Sequence, residues 1–256
     1  MSITLKKPSE IEKLARSSQY VAKTLNYLQN HVKPGMTLSQ INKMGEEFIY
    51  EMGVIPAFKG LYGFPGGVCT SLNEVVIHGI PNETIVKEGD ILGLDIGVEC
   101  EGWYGDAAIT MPIGNISKAD EDLIACSKDA LYYAIDIIEE GMRFKELSFA
   151  LETFILERGY VPLRGFCGHG IGKKPHEEPE IPNYLEGKNP KQGPKIKNGM
   201  VFCIEPMICQ KESTPIILED EWSVVSKDGL RTSHYEHTVA IVNGKAVILS
   251  VDENKE

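Results

Sequence analysis

The sequence predicts a mixed α/β fold made of two similar halves around an antiparallel sheet, and three observations carry that expectation. Segments with helical spacing of apolar residues precede short apolar or alternating segments, and this order occurs twice. Glycine-centred words recur at matched distances in both parts. Acidic residues stand inside apolar strand segments, where a lone acid is out of place.

The bulk properties agree with one domain over residues 1–256. With 42% hydrophobic and 25% charged residues the chain has enough apolar surface to bury a substantial core. A net charge of -11 argues against a protein whose main work is gripping nucleic acid, so no stable nucleic-acid complex is expected. Six cysteines stand at 69, 100, 126, 167, 203 and 209 without a C-x-x-C pair, which excludes a thiolate zinc cage and points to reduced, buried thiols. The run from Met1 to Pro8 lacks the apolar stretch of a secretion signal, and nothing reaches the roughly 18 apolar residues of a membrane span. A cytoplasmic location without membrane attachment is expected.

Taken in order, Ser9 with Glu12 reads as a capping box, followed by Ile11, Leu14, Val21, Leu25 and Leu28 at helical spacing. Thr37 with Gln40 opens a second helix that Gly53 stops. Strands are expected at Glu74 to His78, Ile91 to Glu99 and Trp103 to Met111. The plan then repeats, with a helix from about Ser117 to Glu140, another from Arg143 to Arg158, and more strands. Gly35-Met36 precedes the second helix and Gly53 follows 18 residues on, while Gly141-Met142 precedes the fourth helix and Gly159 follows at the same interval. Gly89 stands six residues before Asp95, as Gly199 stands six before Glu205. The matches imply an internal duplication with halves of about 9–112 and 117–251, and a pseudo-two-fold axis near which one carboxylate strand from each half meets.

Asp95 and Asp106 flank a predicted hairpin turn at Glu99 to Gly102, which places them opposite each other with both side chains on one face. Asp95 lies among Ile91, Leu92, Leu94, Ile96 and Val98, a run expected to be buried, and neither strand offers a cation. A bound cation would relieve that conflict; solvated acids on an exposed hairpin are the alternative. Glu205, within Val201 to Met207, and Glu236, at the start of another strand, repeat the arrangement. His169 sits between Gly168 and Gly170, which leave room for a ligand to approach. Four carboxylates and one imidazole suit two divalent first-row ions. His78 and His176 stand where apolar strands yield to turns and read equally as structural or catalytic. No local pattern distinguishes His31, His234 or His237 from packing or surface residues.

The order Asp95, Asp106, His169, Glu205, Glu236 closely resembles the ligand set of the methionine aminopeptidases, which have the pita-bread fold. Flanking words match as well: Asn73-Glu74-Val75-Val76-Ile77-His78-Gly79-Ile80-Pro81, Gly168-His169-Gly170-Ile171-Gly172, His176-Glu177-Glu178-Pro179 and Tyr235-Glu236-His237-Thr238. The resemblance runs from Lys6 to Val251. It is to the short bacterial type, since no zinc-binding extension precedes the first helix and the 31 residues from Glu205 to Glu236 leave no room for the helical insert of the larger type.

The resemblance implies an enzyme that removes the initiator methionine from nascent polypeptides when the second residue is small. It implies two divalent metal ions (Mn, Fe(II), Co or Zn), with Asp106 and Glu236 bridging them, Asp95 on one, and His169 with Glu205 on the other. It further implies that Glu205 takes the proton of the attacking water, His176 stabilises the tetrahedral intermediate, and His78 hydrogen-bonds near the scissile amide. Phe64, Cys69 and Trp222 correspond to the methionine pocket, for which polarizable, aromatic walls are suited; simple core packing is the other reading. Pro175, Phe58 and Leu61 depart from familiar members and bear on pocket shape.

Two readings on the same fold compete, an X-Pro peptidase and a noncatalytic binding protein; the first would usually carry an additional N-terminal domain and the second would have lost metal ligands. A two-metal phosphatase would need phosphate-binding groups, and neither Gly66-Gly67 nor Gly168 to Gly172 has P-loop spacing. The chain is expected to be a monomer. Lys188, Lys191, Lys195 and Lys197, set among Gly and Pro, read either as a transient contact to ribosomal RNA or as a solvated connector.

Overall fold

The computed structural model describes residues 2–252, so Met1 and residues 253–256 of the expected domain lie outside the described residues. Two helices open the chain, α1 (Pro8–His31) and α2 (Leu38–Glu51), and five strands follow: β1 (Ile55–Pro56), β2 (Cys69–Leu72), β3 (Val75–Ile77), β4 (Ile91–Cys100) and β5 (Trp103–Pro112). A second helix pair, α3 (Lys118–Asp136) and α4 (Phe144–Glu157), leads into β6 (Val161–Pro162), β7 (Cys167–Gly170), β8 (Glu177–Pro182), β9 (Val201–Ile204) and β10 (Met207–Cys209). The remaining strands are β11 (Pro215–Ile217), β12 (Val224–Ser226), β13 (Ser233–His234), β14 (Glu236–Val242) and β15 (Lys245–Ile248).

Among the described residues nine strands form the main sheet in the order β1-β4-β5-β14-β9-β7-β8, with β15 added on β14 and β2 on β4. Every pairing in it is antiparallel. The helices cover one side. The α1–α2 pair packs with Leu92, Leu94, Ile96 and Val98 into one apolar core, and the α3–α4 pair packs with Phe202, Ile204, Val239 and Ile241 into another. The fold is therefore mixed α/β with a curled antiparallel sheet, as expected.

Local chemistry explains the helix starts, with two corrections. Thr37 and Gln40 form the expected reciprocal cap of α2: the Gln40 N–H donates to Thr37 Oγ1 at 3.1 Å and the Thr37 N–H to Gln40 Oε1 at 2.9 Å. The cap of α1 lies earlier than the Ser9–Glu12 reading, because Pro8 suits the first helical turn and the Lys7 N–H donates to Glu10 Oε2 at 2.8 Å. Helix α3 ends at Asp136 rather than near Glu140, because the Glu140 N–H is taken by the Gly244 carbonyl at 3.0 Å in the β14–β15 turn. That tertiary partner competes with the next helical turn.

The glycines of the repeated words occupy equivalent places. Gly35 and Gly141 both have φ +95°, a conformation costly for other residues. Their N–H groups donate to the carbonyls of Val86 and Ile196, at 2.8 and 2.9 Å. Gly89 and Gly199, with φ +91° and +85°, donate to Ile113 and Ile241, both at 2.9 Å. These turns lead directly into β4 and β9.

Helix α1 lies so close to β5 that a Cβ on Gly105 would stand 2.5 Å from the Ser18 nitrogen and 2.7 Å from the Ser17 carbonyl carbon. The obstacle is helix backbone, which cannot swing aside. Gly105→Ala is expected to lower stability by about 1–3 kcal/mol in urea unfolding, through overpacking; an unchanged midpoint and slope would show that the helix shifts freely.

Candidate metal centre and substrate cavity

The sheet register brings the acids together. A two-residue turn at Glu101-Gly102, with φ +53° and +77°, pairs Cys100 with Trp103 and carries the ladder back to Ile91 and Pro112. Asp95 then faces Ala108, and Asp106 faces Gly97. The two aspartates are thus not directly opposite, as the spacing had indicated, but diagonal neighbours two residues out of register. A shift of two preserves the face, so both carboxylates still point the same way. Ala108 also pairs with Glu236, which puts that carboxylate on the same face. His237 pairs with Ile204, so Glu205, one residue beyond the paired end of β9, falls beside Glu236.

His169 arrives from β7. A Cβ on its neighbour Gly168 would stand 2.4 Å from the Cys203 carbonyl oxygen, so glycine permits β7 to lie this close to β9. The His169 Nε2 stands 3.5 Å from Glu205 Oε1 and 3.9 Å from Asp106 Oδ2. Its Nδ1 lies 3.0 Å from the Gly170 carbonyl and can only donate there, which leaves the Nε2 lone pair directed at the acids. Burial, and secondarily His176, lowers the pKa of this imidazole to about 3, so it is neutral and forms no ion pair with the acids.

Among the described residues no lysine or arginine side chain pairs with these carboxylates. One oxygen on each of Asp95, Asp106, Glu205 and Glu236 is buried without a hydrogen-bond partner. Burial, reinforced by the neighbouring carboxylates, holds Asp106, Glu205 and Glu236 well above the usual carboxylate range, and burial raises Asp95. Such a cluster must either retain protons or hold cations. Asp106, His169, Cys203 and Glu236 offer ligand atoms that all lie within 4.8 Å of one another. Hard oxygens with one imidazole fit a divalent first-row ion. The Cys203 thiol in this group was not singled out in the sequence; it shares a face with Glu205 on the β9 side, a proximity set by strand pairing, with no local motif to announce it.

The acids form the floor of a cavity of about 670 Å³. His176 stands at its side, its ring 4.5 Å from that of His169 in an edge-to-face arrangement. His78 lies deeper, with φ +58°, and its ring meets those of Phe166 and Trp222 edge-on at 5.8 and 6.4 Å. Burial lowers the His78 pKa to about 4 and also lowers that of His176. Phe64, Cys69 and Trp222 gather in one apolar cluster with Phe58 and Leu61, and all five line the cavity. Phe58 has its ring against Gly97, where a Cβ would stand 2.5 Å from the ring edge, so this phenylalanine fills space beside the acids.

Other candidates fall elsewhere. His31 is exposed at the end of α1 and His237 is held by Ser250 and Tyr132, while His234 is buried beneath the site; none of the three lines the cavity. Lys188, Lys191, Lys195 and Lys197 are all exposed on the loop before β9. The wall also includes Tyr62, Phe166 and Met207, which sequence reasoning missed. Met207, two residues after Glu205, was within reach of a pattern argument; Tyr62 and Phe166 lie in loops without periodicity.

The sequence match is of the same kind as the geometry. Residues 12–243 match the model of metallopeptidase family M24. The chain belongs to that family. Within it, the chain is 62% identical to a methionine aminopeptidase of Helicobacter pylori over 98% of this chain and 99% of that one. Its fold is similar to the crystal structure of the methionine aminopeptidase from Thermotoga maritima, with a TM-score of 0.94 at 35% identity, covering 98% of this chain and 100% of the other. It is also similar to an Xaa-Pro dipeptidase from Bacillus anthracis, with a TM-score of 0.78 at 19% identity; there it covers 96% of this chain but 61% of that one, a likeness of fold alone.

The protonation pattern has a measurable consequence. Burial raises the Asp95 pKa to about 7 and shifts the other three carboxylates in the same direction, whereas that of His169 is lowered to about 3, so near pH 6 a divalent cation displaces a proton from the acids and none from the imidazole. Affinity is therefore expected to rise as pH rises from about 5 to about 7. Fold stability is a poorer readout, because raised carboxylates weaken the fold with rising pH while lowered histidines strengthen it over the same window. Calorimetric titration with Mn or Zn in two buffers of different ionisation enthalpy counts the released protons. A pH-independent affinity with no release would contradict this protonation state.

Proposed function

We propose that the chain is a methionine aminopeptidase that removes the initiator methionine from nascent polypeptides, preferring a small second residue. The observation that carries this reading is the set of four buried, unbalanced carboxylates and one neutral imidazole facing an aromatic and sulfur-lined recess, in a family-M24 chain. Asp106 and Glu236, on the two central strands, would bridge two divalent ions; Asp95 would hold one, and His169 with Glu205 the other. Mn, Fe(II), Co and Zn all suit this donor set. Bound there, the cations supply Lewis acidity, lowering the pKa of a water and stabilising negative charge that develops on the substrate carbonyl oxygen.

The chain's own groups do the rest. Glu205, whose basicity is raised by burial, accepts the proton of the attacking water at an oxygen beside His169. His176, beside the acids but on a different wall, faces the carbonyl oxygen as it becomes tetrahedral and donates to it. His78 holds the substrate near the scissile amide. Phe64, Cys69 and Trp222 take the methionine side chain, whose flexible thioether suits aromatic edges. Phe58 and Leu61 narrow that recess, and Pro175 restrains the backbone before His176.

The two runs of helix pair followed by strands, and the paired glycine turns, support one catalytic domain with duplicated halves of about 9–112 and 117–251. Action on the N-termini of new polypeptides fits a cytoplasmic, monomeric enzyme, and the exposed lysines from Lys188 to Lys197 would make a transient contact to ribosomal RNA. No helix of the described residues is long and apolar enough to cross a membrane. An X-Pro peptidase on this fold is the competing reading, and substrate choice separates the two.

Met-Ala-Ser and Met-Ser-Ser are expected to be cleaved roughly 30- to 150-fold faster than Met-Leu-Ser and Met-Lys-Ser under one metal condition, which corresponds to a steric penalty of ~2–3 kcal/mol. Faster hydrolysis of Ala-Pro than of Met-Ala-Ser would overturn the assignment. Chelation should abolish turnover, and added Mn, Fe(II) or Co should restore it. Glu205→Gln is expected to lower kcat by ~10²-fold or more, because the amide neither accepts the proton nor supplies an anionic ligand; a near-wild-type rate at saturating metal would remove Glu205 from that role.

A further inference from the structure

Ser2 and Thr4 line the same cavity as the carboxylates, although they belong to the extended segment ahead of α1. That segment is pinned at Lys6. The Lys6 N–H donates to the Gly199 carbonyl at 2.6 Å, and the ammonium meets Glu177 Oε2 at 2.5 Å with only 5% of the lysine side chain exposed. A lysine this withdrawn from water is held by its partner or not at all.

Glu177 is engaged on both sides. While one oxygen takes Lys6, Oε1 accepts the backbone N–H groups of Lys173 and Lys174 at 2.9 and 3.3 Å. These residues form the turn whose last member is His176, the covalent neighbour of Glu177. Gly172 accommodates the ion pair, since a Cβ there would stand 2.4 Å from Glu177 Oε1 and 2.7 Å from Lys6 Nζ. The Gly172 carbonyl in turn accepts the Tyr104 N–H at 3.0 Å, fixing the start of the turn to β5. The backbone that aims His176 is thereby clamped between the sheet and a segment 171 residues away in sequence.

We infer that Lys6 and Glu177 are positioning residues for His176, and that the segment from Ser2 to Lys6 is a working wall of the site. This rests on the role given to His176 above. Neither residue reaches the reacting atoms; they act through the angle and distance at which the imidazole meets the substrate carbonyl. An imidazole displaced by about 1 Å loses much of its effect on the transition state while substrate binding in the apolar recess is little altered.

The test uses the full metal-loaded chain and the variants Lys6→Met, Lys6→Arg and Glu177→Gln, each alone and combined with His176→Ala. Lys6→Met is expected to lower kcat for Met-Ala-Ser by about tenfold with KM within about twofold, and Lys6→Arg to recover most of the loss. On the His176→Ala background the same changes should cost nothing further, since the group they position is gone. The imidazole NMR resonance of His176, assigned by its absence in His176→Ala, should shift in Lys6→Met and Glu177→Gln while that of His31 stays in place. Full additivity with His176→Ala, an effect on KM alone, or an unmoved His176 resonance would overturn the inference. If Lys6→Met fails to fold, Glu177→Gln decides by the same three measurements. Absence of any Met-Ala-Ser turnover in the unaltered chain would defeat the aminopeptidase reading, and the NMR comparison would still decide whether the pair positions His176.

Discussion

Four carboxylates share one face of the sheet at the point where β4, β5, β14 and β9 run side by side, and the rest of the site is arranged around their mutual repulsion. No lysine or arginine of the described residues pairs with them to balance the charge, and the strands that bear them are buried on the helix side by Leu92, Leu94, Ile96 and Ile204. A carboxylate in that setting is stable only with a proton or against a cation. The antiparallel register decides how many acids share the problem: a slip of one residue in β4 or β14 would turn Asp95 or Glu236 into the apolar layer and its aliphatic neighbours into the cavity. The apolar cores therefore enforce the carboxylate cluster as a by-product of enforcing the register.

Close backbone approach is the second constraint. Gly105 lets α1 settle on β5 beside Asp106, and Gly168 lets β7 approach β9 so that His169 reaches the acids. Gly79 does the same behind His78, where a Cβ would stand 2.3 Å from the Thr70 carbonyl oxygen. Each glycine lies next to a proposed functional side chain in sequence. The space it vacates is filled by backbone, so the neighbouring side chain is held at a fixed distance from the opposite strand. Rigidity at the site thus comes from main-chain contacts, and the aromatic residues of the cavity wall add shape to a frame already set.

Much of this was legible from residue patterns. Helical periodicity located the four α-helices of the described residues, and the Thr37–Gln40 box marked the start of α2 to the residue, because a cap depends only on groups three residues apart. The anomaly of acids within apolar strands singled out Asp95, Glu205 and Glu236, and glycines flanking a histidine singled out His169. The methionine-pocket trio came from resemblance alone, since Phe64, Cys69 and Trp222 are indistinguishable from core residues until the fold sets them in one cluster.

By itself, then, the sequence determined which strands carry charge, where α2 begins, and which glycines leave room for neighbours, all properties of short-range chemistry and of a two- or 3.6-residue period. Only the tertiary structure decided the two-residue offset between Asp95 and Asp106, the early end of α3 at Asp136, the Cys203 thiol beside the acids, and the tie between Lys6 and Glu177. The offset follows from a turn whose two residues take positive φ, and a one-residue difference in turn placement shifts every partner by two. The others depend on groups far apart in the chain that meet because packing of the helices and the sheet leaves them nowhere else to go. Spacing along the chain carries no information about such meetings, since their distances are set by the closure of the whole sheet.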